Sequence, residues 1–264
     1  MRTKFVCLLL SFLMAFNTGC EKGSSLRTLA ERTAIIDADA PQPVTLDLVI
    51  DDGGGSDGAS AASLRALLSH VVPGLAPGSV VRLHAVADTV ATSKELSRFV
   101  ITASRQRMRH AVDSHRQKET EALISQFLAA AQPIFKPGVR RSSPIAQAIV
   151  RAVLAGNESG GVHHILYVGD ARQYSRGDAL GDIDAECSSP DPDEFTRRLE
   201  TIVHPDDLHG VVIHFAGISL TPVENDRCPA TIEQYRALQH LWVTSFTRLG
   251  ARVTWSMEPL TSLD

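Results

Sequence analysis

Three short segments gather side chains with hard oxygen donors. The first is Asp52-Gly53-Gly54-Gly55-Ser56, which offers a carboxylate and, four positions on, a hydroxyl. The second is Arg141-Ser142-Ser143-Pro144-Ile145, where Ser143 stands just ahead of a helix signal. The third is Gly169-Asp170-Ala171, which follows an apolar run directly. Two carboxylates and two or three hydroxyls converging on one point suit a small hard cation, and Mg²⁺ needs few protein oxygens because it keeps several waters. Asp51 competes with Asp52 for the first position, but counting from Asp51 places Gly53 and Gly55 where hydroxyls are wanted. Asp57 adds a third acid nearby. Each of these residues also has a plain structural use: Asp52 and Ser56 can serve a glycine-rich turn, and Ser143 can cap a helix.

Other chemistries have less behind them. The triple glycine lacks the G-x-G-x-x-G spacing and the Walker Lys-Ser/Thr, and its flanking acids repel an anion. No G-x-S-x-G elbow supports a serine hydrolase. The ten histidines form no H-E-x-x-H or comparable pattern, so each is read as structural. A metal-dependent phosphoester hydrolase using the same acids lacks an evident general base. The chain is read as a binding protein and not as an enzyme.

The elements that must position these loops follow from hydrophobic periodicity. Val44-Thr45-Leu46-Asp47-Leu48-Val49-Ile50 is rich in β-formers and runs into the first acidic loop. Leu64, Leu67, Leu68 and Val71 then recur at helical spacing. A second strand is expected over 79–87, and a short third one around Phe99-Val100-Ile101-Thr102. A long helix without Gly or Pro is expected over 104–131, another over 144–154, and a strong strand over 162–168. Asp191-Pro192-Asp193-Glu194 reads as a helix start, with Phe195, Leu199 and Ile202 on its buried face. A strand over 211–216 precedes a helix opened by Thr231-x-x-Gln234, carrying Leu241 and Trp242, and ended by Gly250. A strand over 252–256 comes last. Strands alternating with helices of this length imply a three-layer, doubly wound α/β domain over residues 44–264, with a mainly parallel sheet. In such sheets ligands bind outside the carboxyl ends of the strands, where the oxygen-rich loops fall.

Ahead of the domain, Arg2 and Lys4 precede an apolar run over 5–16 that is too short to span a bilayer, as in a secretory signal. The following Asn17-Thr18-Gly19-Cys20 resembles the lipobox of bacterial lipoproteins, although Asn17 stands where that pattern usually has Leu. The resemblance implies a signal peptide over 1–19, a lipidated Cys20 and a polar tether over 20–43. Glu21 then favours the outer membrane over retention at the inner one. Removing residues 1–19 deletes two basic residues and no acid, which takes the formal charge from −4 to −6. A mildly acidic domain has no global field for nucleic acid. Cys187 and Cys228 remain, in an oxidising compartment and in polar loops, and are expected to form a disulfide worth roughly 4 kcal/mol.

The order of the three loops resembles the von Willebrand factor A (vWA) domain. That family's metal-ion-dependent adhesion site reads Asp-x-Ser-x-Ser, then a Thr opening a later helix, then an Asp after a later strand. Here Asp52 and Ser56 match the first motif, Ser143 replaces the Thr and Asp170 matches the last Asp, while Gly54 stands in place of the first Ser. The resemblance implies a vWA/Rossmann-like sheet with one short antiparallel edge strand. It also implies a divalent cation held by Asp52, Ser56, Ser143 and Asp170, most simply Mg²⁺, whose shell a partner's carboxylate completes. The expected function is a lipid-anchored module on the periplasmic face of the envelope that binds protein partners. A metal-free scaffold subunit of an envelope or secretion complex is the alternative, docking through the basic helix that holds Arg105, Arg107 and Arg109 or through the loop of Cys187 and Cys228.

Overall fold

A computed structural model describes residues 42–51, 59–86, 94–104, 109–134, 143–156, 162–173, 180, 191–218, 231–258, 260 and 263. The chain divides into Met1–Pro41 and Gln42–Asp264, and all the described residues belong to the second unit. Six strands are present among them: β1 (Val44–Ile50), β2 (Val80–Ala85), β3 (Glu95–Val100), β4 (Val162–Val168), β5 (Val211–Phe215) and β6 (Arg252–Trp255). The α-helices are α1 (Ala59–Val71), α2 (Arg109–Ala131), α3 (Ile145–Gly156), α4 (Pro192–Leu199), the single turn α5 (Pro205–Leu208) and α6 (Ile232–Arg248). The strands form one sheet in the order β3-β2-β1-β4-β5-β6. Every neighbouring pair is parallel except β2 with β3. The fold is therefore the mainly parallel α/β sheet with an antiparallel edge that the sequence leads one to expect.

Period-two alternation in the strands sorts the core into two layers. Leu46, Leu48 and Ile50 of β1 join Val81 and Leu83 of β2 beneath α1 and α2, with Leu64, Leu68, Leu123 and Phe127 from the helices. Val49, Ile165, Tyr167, Ile213 and Phe215 face the other way, against Ile149 of α3, Phe195 of α4 and Trp242 of α6. Aromatic rings fill this second layer, with Phe195 edge-on to Trp242 at 5.4 Å and Phe215 tilted against Trp242 at 5.4 Å.

Local signals account for most boundaries. The Asp191 side chain accepts from the Asp193 N–H at 3.0 Å and caps α4, whose first turn holds Pro192, Asp193 and Glu194. Thr231 Oγ1 accepts from the Gln234 N–H at 3.2 Å and caps α6, and Gly250 follows that helix at φ 98°. Some elements differ from the sequence reading by more than a residue or two. The third strand runs from Glu95 and ends before Ile101, and the turn α5 carried no apolar period to reveal it. Pairing with β2 selects Glu95–Val100, and at a sheet edge polar residues such as Ser97 and Arg98 are tolerated, so apolar content misplaces the strand. Ser104 lies outside any helix, and α2 is helical from Arg109 onward.

Candidate functional site

The strand order reverses between β1 and β4. β1 leads through α1 to β2 on one side, whereas β4 leads to β5 on the other. A crevice opens at such a switch point, beyond the carboxyl ends of the two strands. Asp51 ends β1 there, and its N–H bonds the Val168 carbonyl of β4 at 2.9 Å. Asp170 stands two residues past β4, half-buried. Ser143 precedes α3 and is buried. Its hydroxyl donates a short hydrogen bond to Asp51 Oδ2.

Of the four residues expected to hold a cation, the structure therefore places Ser143 and Asp170 at the switch point, while Asp52 and Ser56 lie outside the described residues. The carboxylate in contact with Ser143 is that of Asp51. The alternation of β1 explains this: Leu46, Leu48 and Ile50 face α1 and α2, so Asp47, Val49 and Asp51 face α3. That parity is legible in the sequence, whereas motif spacing taken alone favoured Asp52. Cys187, Cys228, Cys20, Arg105 and Arg107 also lie outside the described residues, and Arg109 opens α2.

Tyr167, which sequence reasoning left to the core, is part of this constellation. Its hydroxyl donates to Asp51 Oδ2 at 3.3 Å and accepts from the Ala171 N–H at 3.2 Å. Burial, then the Asp51 and Asp170 carboxylates, push its phenol well above the usual tyrosine range, so the group remains a neutral donor. Gly169 makes the approach possible: a Cβ there would overlap the Tyr167 hydroxyl and meet Asp51 Cβ at 2.9 Å. Ala171 adopts φ 59°, a left-handed conformation that costs a non-glycine residue about 1 kcal/mol or more. Its carbonyl accepts from Trp242 Nε1 of α6 at 2.9 Å. Asp170 Oδ1 accepts from the Arg172 N–H at 2.9 Å, and Gln173 Oε1 accepts from the Ala146 N–H at the start of α3 at 2.8 Å. The loop after β4 is thus fixed from three directions.

In donor chemistry these residues fit a hard cation. Ser143 donates its hydroxyl hydrogen bond to Asp51, which leaves its oxygen lone pairs available, and Asp170 brings a second carboxylate.

A separate polar cluster lies inside the sheet. Asp47, fully buried on β1, accepts from Arg82 Nε and Nη2 at 2.5 Å each. It also bonds His84 Nε2 at 2.9 Å and His163 Nε2 at 2.5 Å. Arg82 Nη1 donates onward to the Ala155 carbonyl at the end of α3, at 2.6 Å. Burial acts to raise the Asp47 pKa, but hydrogen bonds from His163, His84 and Arg82 more than offset it and hold the carboxyl well below its usual range. With every carboxylate oxygen used internally, this network ties three strands to α3.

No family model matches the chain, and no curated protein matches it either. Among solved structures, a von Willebrand factor type A protein from Catenulispora acidiphila is similar over 83% of this chain and 40% of its own, with 12% identity and a TM-score of 0.40. The chain thus spans less than half the length of that protein, and the fold described above rests on strand order and register rather than on this likeness.

Proposed function

We propose that the chain is a vWA-like binding module that engages a protein partner at the carboxyl edge of its sheet, through a divalent cation bound at the switch point. The observation that carries this reading is the juxtaposition of Asp51, Ser143 and Asp170 where the strand order reverses. Ser143 and Asp170, with Asp52 and Ser56 from the preceding loop, would hold the ion. A bound divalent cation supplies a positive centre on which a partner carboxylate can close. The residues of this chain set the rest: Asp51 orients the Ser143 hydroxyl, and the bonds to Ala171 and Arg172 fix the loop that carries Asp170. Lipidation at Cys20 would keep the module at an envelope membrane, so that its partners are envelope proteins.

Thermal unfolding of the full chain in EDTA, then in Mg²⁺, Mn²⁺ or Ca²⁺, tests the cation. A ligand at 100 times its dissociation constant stabilises by about 2.7 kcal/mol, a shift of several degrees. The shift should vanish in Asp170→Ala. No shift at millimolar metal with any of the three ions would reject the cation.

One observation favours the metal-free scaffold as a second reading. Asp51 is the acid bonded to Ser143, and counting from it places Gly53 and Gly55 at both hydroxyl positions of the first motif. Partner capture that survives EDTA and the Asp170→Ala change would select that reading.

A further inference from the structure

We infer that Tyr167 is the positioning residue of the switch-point site, its hydroxyl bridging the acid at the end of β1 to the loop that carries the acid after β4. This rests on the site reading proposed above and adds how its two halves are held in register. The Tyr167 hydroxyl touches both segments, donating to Asp51 Oδ2 and accepting from the Ala171 N–H. Asp170 immediately precedes Ala171, so the direction of its side chain depends on the left-handed turn at that residue. The turn does not sustain itself, because an alanine gains nothing intrinsic at φ 59°. Its peptide groups are held instead from both ends, the N–H by Tyr167 and the carbonyl by Trp242 Nε1 at 2.9 Å. Arg172 Nη2 adds a bond to Gln234 Oε1 in the first turn of α6 at 3.2 Å. The Tyr167 hydroxyl thereby links the segments that carry Asp51 and Asp170, and the loop is tied to a helix on the aromatic face of the sheet.

The geometry offers a narrow perturbation. Tyr167→Phe removes the oxygen and keeps the ring packed against Phe215, whose centroid lies 5.3 Å away. Losing two hydrogen bonds of ordinary strength should change the loop equilibrium about tenfold or more. The measurement is amide and indole hydrogen exchange by NMR on the full chain, with Mn²⁺ binding followed in parallel. In Tyr167→Phe, exchange should quicken at the Ala171 amide and the Trp242 indole by about tenfold or more while Tm moves by only a few degrees, and Mn²⁺ should bind about tenfold more weakly. Exchange at both groups within twofold of the parent would overturn the inference and reduce Tyr167 to core packing. Trp242→Phe attacks the same turn from its carbonyl side and should also quicken Ala171 exchange. An unchanged rate there counts against the strapped loop even if Tyr167→Phe folds poorly. A parent chain that fails to bind Mn²⁺ removes the cation reading, and the exchange rates still decide the role of Tyr167.

Discussion

Asp47→Asn isolates the charge at the centre of the sheet with almost no change in shape. In the parent, one fully buried carboxylate meets a bidentate guanidinium and two imidazole N–H groups. Asparagine keeps one acceptor oxygen and turns an NH₂ toward groups that are themselves donors. Arg82 keeps the Ala155 carbonyl at 2.6 Å, but its charge stays buried with no counter-ion. Removing one partner of a buried pair costs about 3–5 kcal/mol. For a domain of this size that is roughly 10 °C in Tm, and a large part of a total of about 5–15 kcal/mol. Urea unfolding at pH 7 is the assay, and the midpoint should fall at an unchanged slope. The control is Asp47→Leu/Arg82→Met, which removes both charges. The two histidines still lose their acceptor, so recovery is incomplete, but the double variant should be more stable than Asp47→Asn. An asparagine variant within 1 kcal/mol of the parent, or a double variant that is the worse of the two, would refute the account.

Three further outcomes are expected. His164 and His214 stack with ring centroids 5.4 Å apart, and His164 Nδ1 lies 3.1 Å from His214 Nε2. Burial lowers both pKa values to about 4, with Arg252 and His163 adding to the effect at His164, and His164 and Arg252 at His214. Neutral rings are thus favoured by the fold, and their contribution is complete above the unfolded value of about 6.5 and falls away as pH drops toward 4. Urea stability should decline across that window by roughly 3 kcal/mol for each ring and flatten in His164→Leu/His214→Leu; a flat profile in the parent would exclude it. Asp47 acts in the same direction, its carboxyl, despite burial, held below the usual range by its hydrogen-bond partners and so adding stability above about pH 4 that is lost at lower pH. Gly156→Ala places a Cβ inside the His163 ring, which Asp47 holds in place, so it should cost about 1–3 kcal/mol by thermal unfolding, whereas a neutral result would mean the ring is free to move. Asp191→Ala removes the cap of α4 and should cost about 1 kcal/mol, read as a Tm drop of a few degrees.

The sequence by itself determined most of the elements and their order, the turn α5 and the placing of β3 excepted. Period-two runs in β1 and β4, helical spacing at Leu64, Leu67 and Leu68, and the caps at Asp191 and Thr231 are short-range signals, and each stands where it was expected. Alternation of strands and helices then fixed the class of sheet, and with it the edge where oxygen-rich loops had to gather. Tertiary structure decided which side chains meet. Asp47, Arg82, His84 and His163 are scattered over 117 positions, and only the register of three parallel strands brings them onto one carboxylate. Scattered histidines that read as unrelated thereby became two pairs, one on each face of the sheet. That Asp51 bonds Ser143 is likewise a matter of packing, because the pleat gives Asp51 the face toward α3, where Ser143 waits. Tyr167 looked like any apolar residue in a buried strand. Its role rests on a turn with φ 59° and on an indole 71 residues away, and neither leaves a mark in local sequence because both are contacts between distant segments.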